Sequence, residues 1–149
     1  MLATPAHLRA TTVMQPSSRQ VEHTAEVCVH VRAPSLGELA AEAGRALARL
    51  ELATPTPSPS GPSREIEVWA TDRAALLVDW LNELIYLAET ERWVAAEFDV
   101  LEASDTGVRM RARGVPVAEG PARVKAATFA GLEIRPIPGG LEAEIVLDV

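Results

Sequence analysis

The segment 74–87 constrains the fold most, because it is apolar around most of its circumference when it is drawn as a helix. A helix with so little polar surface is buried on more than one side. Asp72 precedes it and is a suitable N-cap residue. We therefore predict a central helix that packs against sheet. Its few polar positions form one narrow stripe, which consists of Asp79, Asn82, Glu83, Tyr86 and Thr90.

A second helix is predicted after Ser35, which is spaced for a capping box with Glu38. Alternating apolar and polar residues predict short strands elsewhere. The order β-α-β-α followed by antiparallel strands predicts an α+β domain, with a mixed sheet or sheets packed on two helices. The predicted strands cover residues 25–32, 64–70, 93–102, 108–113, 123–129, 132–137 and 141–149.

With 149 residues, the chain is long enough to bury a core and is expected to form one domain. Residues 1–20 are polar and lack periodicity, so they are predicted to be a flexible N-terminal tail. Residues 21–149 then form the single domain. Within it, residues 53–63 are predicted to be a proline-rich loop, because proline lacks a backbone donor and cannot continue the helix before it.

Charge and cysteine content restrict the function. The formal net charge is −7, which disfavours nonspecific binding to nucleic acid, so any role in RNA chemistry is expected to run through a protein partner. The single cysteine, Cys28, cannot form an internal disulfide and fits a reducing compartment. No segment is long and apolar enough to span a bilayer, and no secretory signal is evident at the N-terminus. We expect a cytoplasmic location and no membrane partner.

Acidic residues stand near both ends of the predicted domain. His23 and Glu26 lie where the first strand begins, and Asp148 lies at the end of the last. These three residues become a metal site if the two strands meet. Spacing alone favours a plainer interpretation, in which the first two lie at a solvated strand start. On the same grounds, Asp148 shares the exposed face of an edge strand with Glu142 and Glu144.

Three other features have a functional and a structural interpretation. Lys125 has apolar neighbours on its strand face, so it either extends to solvent or reaches a site where its charge offsets acids. Arg109, Arg111 and Arg113 alternate along one strand, as in a phosphate-binding patch or, more commonly, a solvated face. Cys28 has no basic group evident beside it, which favours a packing role.

Five motifs are spread along the chain from residue 21 to its end. They are Val-Glu-His-Thr-Ala-Glu at 21–26, Asp-Trp-Leu-Asn-Glu-Leu-Ile-Tyr-Leu at 79–87, Val-Lys-Ala-Ala-Thr-Phe at 124–129, Gly-Leu-Glu-Ile at 131–134 and Leu-Asp-Val at 147–149. Together these motifs resemble those of the archease family, and they occur in the family's order.

The resemblance implies a protein cofactor rather than an enzyme. Archeases assist RtcB-type RNA ligases in tRNA splicing and RNA repair, where they promote guanylylation and multiple turnover of the ligase. The family's metal site implies Glu26 and Asp148 as ligands here, with His23 as a further candidate, and implies a functional role for Lys125. Oxygen ligands suit Ca²⁺, Mg²⁺ or Mn²⁺. Contact with tRNA would be indirect, through the ligase.

Two residues depart from the family's pattern. Glu26 stands where the family usually has aspartate, and its extra methylene is better tolerated by Ca²⁺ than by Mg²⁺. Ala130 stands where many relatives have histidine.

Two other functions stay open at this point. One is a chaperone or scaffold for another RNA-modifying enzyme, such as a tRNA methyltransferase. The other is a metal-dependent hydrolase, which the lack of a nucleophile motif disfavours.

Overall fold

A computed structural model describes residues 13–22, 26–118 and 123–149 of the chain. It has two helices and eight strands, and this confirms the predicted α+β class. In chain order the elements are β1 (Ser17–Glu22), β2 (Glu26–Ala33), α1 (Leu36–Leu52), β3 (Ser60–Trp69), α2 (Arg73–Thr90), β4 (Trp93–Ser104), β5 (Gly107–Pro116), β6 (Ala126–Thr128), β7 (Ile134–Ile137) and β8 (Gly140–Asp148).

The described strands form two sheets. The first has the order β1-β2-β8-β6, and β7 also pairs with β8 on the β6 side, while the second has the order β3-β5-β4. Every described pair is antiparallel, whereas the sequence had predicted a mixed sheet. The reason is the connection through α1, which leads from β2 into the other sheet and so creates no parallel neighbour.

Both helices lie between the two sheets. α1 packs against β2 and β4, and α2 packs against β3, β4 and β6. This position explains why 74–87 is apolar on most sides. Trp80, which is fully buried, donates its indole N–H to the carbonyl of Ala40 at 2.9 Å and so links the helices. The predicted N-caps are confirmed, because the side chains of Ser35 and Asp72 each accept a backbone hydrogen bond from the third residue after them.

The polar segment before residue 21 is partly a strand. Residues 1–12 lie outside the described residues, but Ser17–Glu22 pairs with β2 in continuous antiparallel register. The predicted tail is therefore wrong for residues 17–20. Backbone pairing gives this strand its hydrogen bonds, and Ser18 adds a hydrogen bond of 2.8 Å to Glu42 on α1. Neither contact requires an apolar alternation, which is why the sequence pattern does not indicate a strand.

The predicted loop at 53–63 is also shorter than expected, because β3 already begins at Ser60. The pairing of β3 with β5 is irregular between Ser60 and Arg64, so Pro62 falls where the regular ladder is interrupted. β3 is also at the edge of its sheet. Edge strands and irregular positions are where a strand accommodates proline.

Candidate functional site

Strand order brings the two ends of the domain together. β8 lies between β2 and β6, and Glu26 is directly opposite Asp148 in the antiparallel register. Residues opposite each other have Cβ atoms about 4.5–5.5 Å apart on one face of the sheet. The adjacent pair, Val27 and Leu147, is buried toward the helices, so the two carboxylates are on the outer face. The prediction of an edge strand at Asp148 is wrong, because β8 has neighbours on both sides.

Lys125 lies on the other side of Asp148. Its backbone N–H donates to the carbonyl oxygen of Asp148 at 2.7 Å, and the next residue, Ala126, is opposite Asp148 in the register. The Lys125 side chain is exposed. The fold thus brings together Glu26, Asp148 and Lys125, three of the four residues predicted from the sequence. The fourth, His23, lies outside the described residues.

The two carboxylates face each other, and no ion pair joins either of them to a basic side chain of the described residues. Like charges directly opposite on a sheet are destabilising. Further along the same face, Glu142 is in a different situation, because Arg135 and His30 lower the pKa of its carboxyl group. An added cation would relieve the repulsion at Glu26 and Asp148, whereas Glu142 already has its counter-charges.

The donor set fits a hard cation that keeps several water ligands. Two carboxylates provide oxygen ligands, which suit Ca²⁺, Mg²⁺ or Mn²⁺. Within 13–22, 26–118 and 123–149, no three His, Cys, Asp or Glu side chains form a group that could hold a metal ion on their own. Cys28 is on the same face as Glu26, but burial, then Glu144 and Glu26, raise the pKa of its thiol. A protonated thiol is a poor metal ligand.

Two further side chains hold the Lys125 segment, and neither was identified from the sequence as part of the site. Asn82 on α2 makes two hydrogen bonds to the backbone of Ala127. Glu51 near the end of α1 accepts a hydrogen bond from the backbone N–H of Val124. Asn82 had a signal, since it is one of the few polar residues in an apolar helix. Glu51 had none, because its partner is remote in sequence.

The arginine stripe is on the outer face of the second sheet and is flanked by acids. Arg109 contacts Glu65 at 3.0 Å and also pairs with Glu102. Across the strands, Arg111 is opposite Glu65 and Asp99, and Arg113 is opposite Glu97. These acids neutralise the stripe, so the structure favours the solvated face over a phosphate-binding patch.

The carboxylate pair does not line either of two clefts in the described structure. These clefts have volumes of about 460 and 530 Å³, and the linings of both lack Glu26, Lys125 and Asp148. Separately, none of the helices in the described ranges has the length and apolar character needed to cross a membrane.

Comparison with known proteins identifies the class. The model of the Archease protein family matches residues 19–149. The chain therefore belongs to the archease family, as its motifs predicted. It is 35% identical over 111 residues to the protein archease of Methanothermobacter thermautotrophicus, covering 70% of this chain and 79% of that protein. It is 30% identical over 138 residues to the protein archease of Methanosarcina mazei, covering 87% and 93%.

Solved structures agree with this assignment. The solution structure of Methanobacterium thermoautotrophicum protein 1598 superposes with a TM-score of 0.70 at 28% identity, covering 89% of this chain and 98% of that one. The crystal structure of a Thermotoga maritima archease, described as a possible chaperone, gives a TM-score of 0.64 at 20% identity, covering 88% and 96%. The second likeness concerns the fold alone.

Proposed function

We propose that this chain activates an RtcB-type RNA ligase as a protein cofactor, through a divalent-metal site built on Glu26 and Asp148. In this proposal, the protein promotes guanylylation of the ligase and allows it to turn over repeatedly in tRNA splicing or RNA repair. RNA would contact the ligase rather than this acidic chain. Membership of the archease family supports the role of a protein cofactor.

The observation that carries the proposal is the direct opposition of Glu26 and Asp148 at the ends of two paired strands. This pair stands on an outer sheet face, where a partner protein can reach it. Lys125 follows on the next segment and supplies the only basic side chain of the trio. Two acids and one ammonium group can together contact a metal ion and a phosphate of a partner's substrate or nucleotide.

Glu26 and Asp148 would hold the cation, and Lys125 would supply a positive charge beside them. A bound divalent ion supplies Lewis acidity and neutralises phosphate charge. The glutamate at position 26 adds one methylene to the reach of that carboxylate. Ca²⁺ accepts variable ligand distances, whereas Mg²⁺ demands near-ideal octahedral geometry. Among the candidate ions, we therefore favour Ca²⁺ over Mg²⁺ for the resting protein.

The test is RNA joining by the cognate ligase with GTP and Mn²⁺, under conditions where RNA exceeds ligase. We expect many turnovers per ligase with this protein and about one without it. Asp148→Asn and Lys125→Gln should each remove the gain. Glu144→Gln is a matched control, because Glu144 is an exposed acid on the same face of β8. Full turnover by the ligase alone would refute the proposal.

A chaperone-like role is the second candidate, because the Thermotoga maritima relative is described as a possible chaperone. In that role the chain would bind and stabilise another RNA-modifying enzyme, such as a tRNA methyltransferase. Affinity capture with the full chain discriminates the two functions. Recovery of a methyltransferase without a ligase would favour this candidate, and its aggregation or activity should then depend on the chain.

A further inference from the structure

The strand that carries the functional lysine has little support from its sheet. β6 has only three residues, and it pairs with the last three residues of β8, Val146 to Asp148. It is at the end of the sheet order, so its other edge has no described strand beside it. A strand with so few ladder bonds needs other partners to hold its backbone in one place.

Asn82 supplies those partners on the open edge. Its side-chain amide donates to the carbonyl of Ala127 at 3.2 Å, and its side-chain oxygen accepts the N–H of Ala127 at 2.8 Å. A carboxamide is the side-chain group that offers a donor and an acceptor in this arrangement, so it takes the place of a neighbouring strand. Leu81 and Leu84, both buried, fix this part of α2 in the core.

Glu51 holds the residue before Lys125. Its Oε1 accepts the N–H of Val124 at 2.9 Å, and Val124 is fully buried. The other carboxylate oxygen, Oε2, is buried without a hydrogen-bond partner among the described residues. Among the described residues, the hydrogen bond of this carboxylate is therefore to the segment that precedes Lys125. Burial raises the pKa of Glu51, the backbone N–H groups of Val124 and Arg123 lower it, and the charges of Glu89 and Arg123 act in opposite directions.

The contacts follow one another along the chain around Lys125. The N–H of Val124 is held by Glu51, that of Lys125 by Asp148, and that of Ala127 by Asn82. Because the Lys125 side chain is exposed, packing does little to direct it, and its backbone largely determines where its ammonium group can reach. A loosened backbone would let the group sample a wider volume around Glu26 and Asp148.

We propose that Asn82 and Glu51 are positioning residues that clasp the 124–127 backbone and so set the place of Lys125 beside the Glu26–Asp148 pair. The proposal rests on the proposed function, since it assigns these two side chains to the same site. Neither residue touches the partner's substrate. Each acts through the backbone on the lysine, which makes the contact.

The first measurement uses this protein alone and needs no ligase. Hydrogen exchange of the Lys125 and Ala127 amides is followed by NMR in the wild type, in Asn82→Ala and in Asn82→Asp. Asn82→Ala removes both hydrogen bonds, so we expect both amides to exchange at least about tenfold faster. Asn82→Asp keeps the acceptor and loses the donor, so its effect should be smaller. Exchange within a factor of two of wild type in both variants would refute the proposal that Asn82 holds this backbone in place.

The second measurement separates positioning from simple loss of stability. In multiple-turnover RNA joining, Asn82→Ala should lower the maximal turnover of the ligase at least about fivefold. The concentration that gives half-maximal activation should change less than twofold, because the variant leaves Glu26 and Asp148 on the outer sheet face unchanged. Glu51→Ala should behave in the same way, whereas Glu51→Gln keeps the Oε1 acceptor and should restore most of the turnover. Glu83→Ala, a change at the next residue of α2, is the control that should leave it unchanged.

The outcomes distinguish this inference from the function on which it rests. If the wild type does not stimulate the ligase, the proposed function fails. The exchange rates alone then decide whether Asn82 holds the 124–127 backbone. If the wild type stimulates the ligase and Asn82→Ala loosens the amides yet activates fully, the positioning role is refuted and the proposed function stands. Loosened amides together with reduced maximal turnover support both.

Discussion

A carboxylate inside the fold ties the unexpected strand β1 to α1, and its removal is the sharpest test of the architecture. Glu42 is 6% exposed. It accepts hydrogen bonds from Ser18 at 2.8 Å, from Arg49 at 3.0 Å and from Arg45 at 3.3 Å. Glu42→Ala deletes all three contacts and leaves two arginines without their counter-charge.

The loss of stability expected for Glu42→Ala follows from the burial of the ion pairs. Removing one partner of a buried ion pair costs about 3–5 kcal/mol. Here the side chains of Arg45 and Arg49 are 26% and 33% exposed, so both recover part of their hydration. Alanine also favours the helix by roughly 0.4 kcal/mol. The expected loss is therefore about 2–3 kcal/mol. For a domain of this size, that lowers Tm by roughly 5–10 °C.

Urea denaturation followed by circular dichroism measures the loss, with the midpoint and the slope fitted separately. Ser18→Ala is the companion variant, because it removes only the two hydrogen bonds between β1 and α1, in which Ser18 donates to Glu42 and accepts from Arg49, and it should cost about 1–2 kcal/mol. In the double variant the two losses should not add, since both remove one shared hydrogen bond. A loss below about 0.5 kcal/mol for Glu42→Ala would mean that the network is worth no more than a surface ion pair, and the reasoning would be refuted.

Three further predictions follow from other parts of the fold. Gly44→Ala places a methyl group 2.8 Å from the ring of Phe98, so overpacking of roughly 1–3 kcal/mol should outweigh the helix propensity gain of about 1 kcal/mol, and a raised Tm would contradict this. Burial raises the pKa of Glu51 in the native state above its ordinary 4.5. At pH values between the unfolded-state and native-state pKa, the native state therefore binds more protons at this group than the unfolded state does. The stability of wild type relative to Glu51→Gln should therefore fall as pH rises through that window in urea titrations, and a difference that grew with pH would exclude the assignment. The wild type should retain labelled RNA only at background level in a filter assay, and Arg111→Gln combined with Arg113→Gln should leave this level unchanged, because acids flank both positions. Marked retention by the wild type that the double variant loses would restore the phosphate-patch interpretation.

Local signals account for what the sequence predicts well. The two helices begin at side-chain caps, and their apolar arcs follow from burial between two sheets, so both can be identified from periodicity alone. β1 is different, because its hydrogen bonds come from a neighbouring strand and its anchor from Glu42. A polar segment such as Ser17–Gln20 gives no local sign of either. The proline-rich stretch likewise conceals the first residues of β3, which pair at an irregular edge.

The candidate site depends on strand order, which spacing does not encode. The local sequence around Glu26 and around Asp148 does not indicate that β2 and β8 are neighbours with these residues opposite each other. Spacing alone favoured two unrelated surface acids. The family resemblance supplied the pairing before the structure did. Asn82 and Glu51 each bind the backbone of a residue more than forty positions away, so spacing indicates neither partner, although the polarity of Asn82 within an apolar helix was a signal.

The central claim is that the opposed carboxylates bind a divalent cation, and a thermal titration tests it most directly. A cation that binds only the native state adds about 2.7 kcal/mol at 100 times its Kd. For a domain of this size, that corresponds to a rise in Tm of roughly 5–10 °C. With increasing Ca²⁺, the account predicts this rise for the wild type and for Glu144→Gln, and no rise for Asp148→Asn. An equal rise in Asp148→Asn would contradict it.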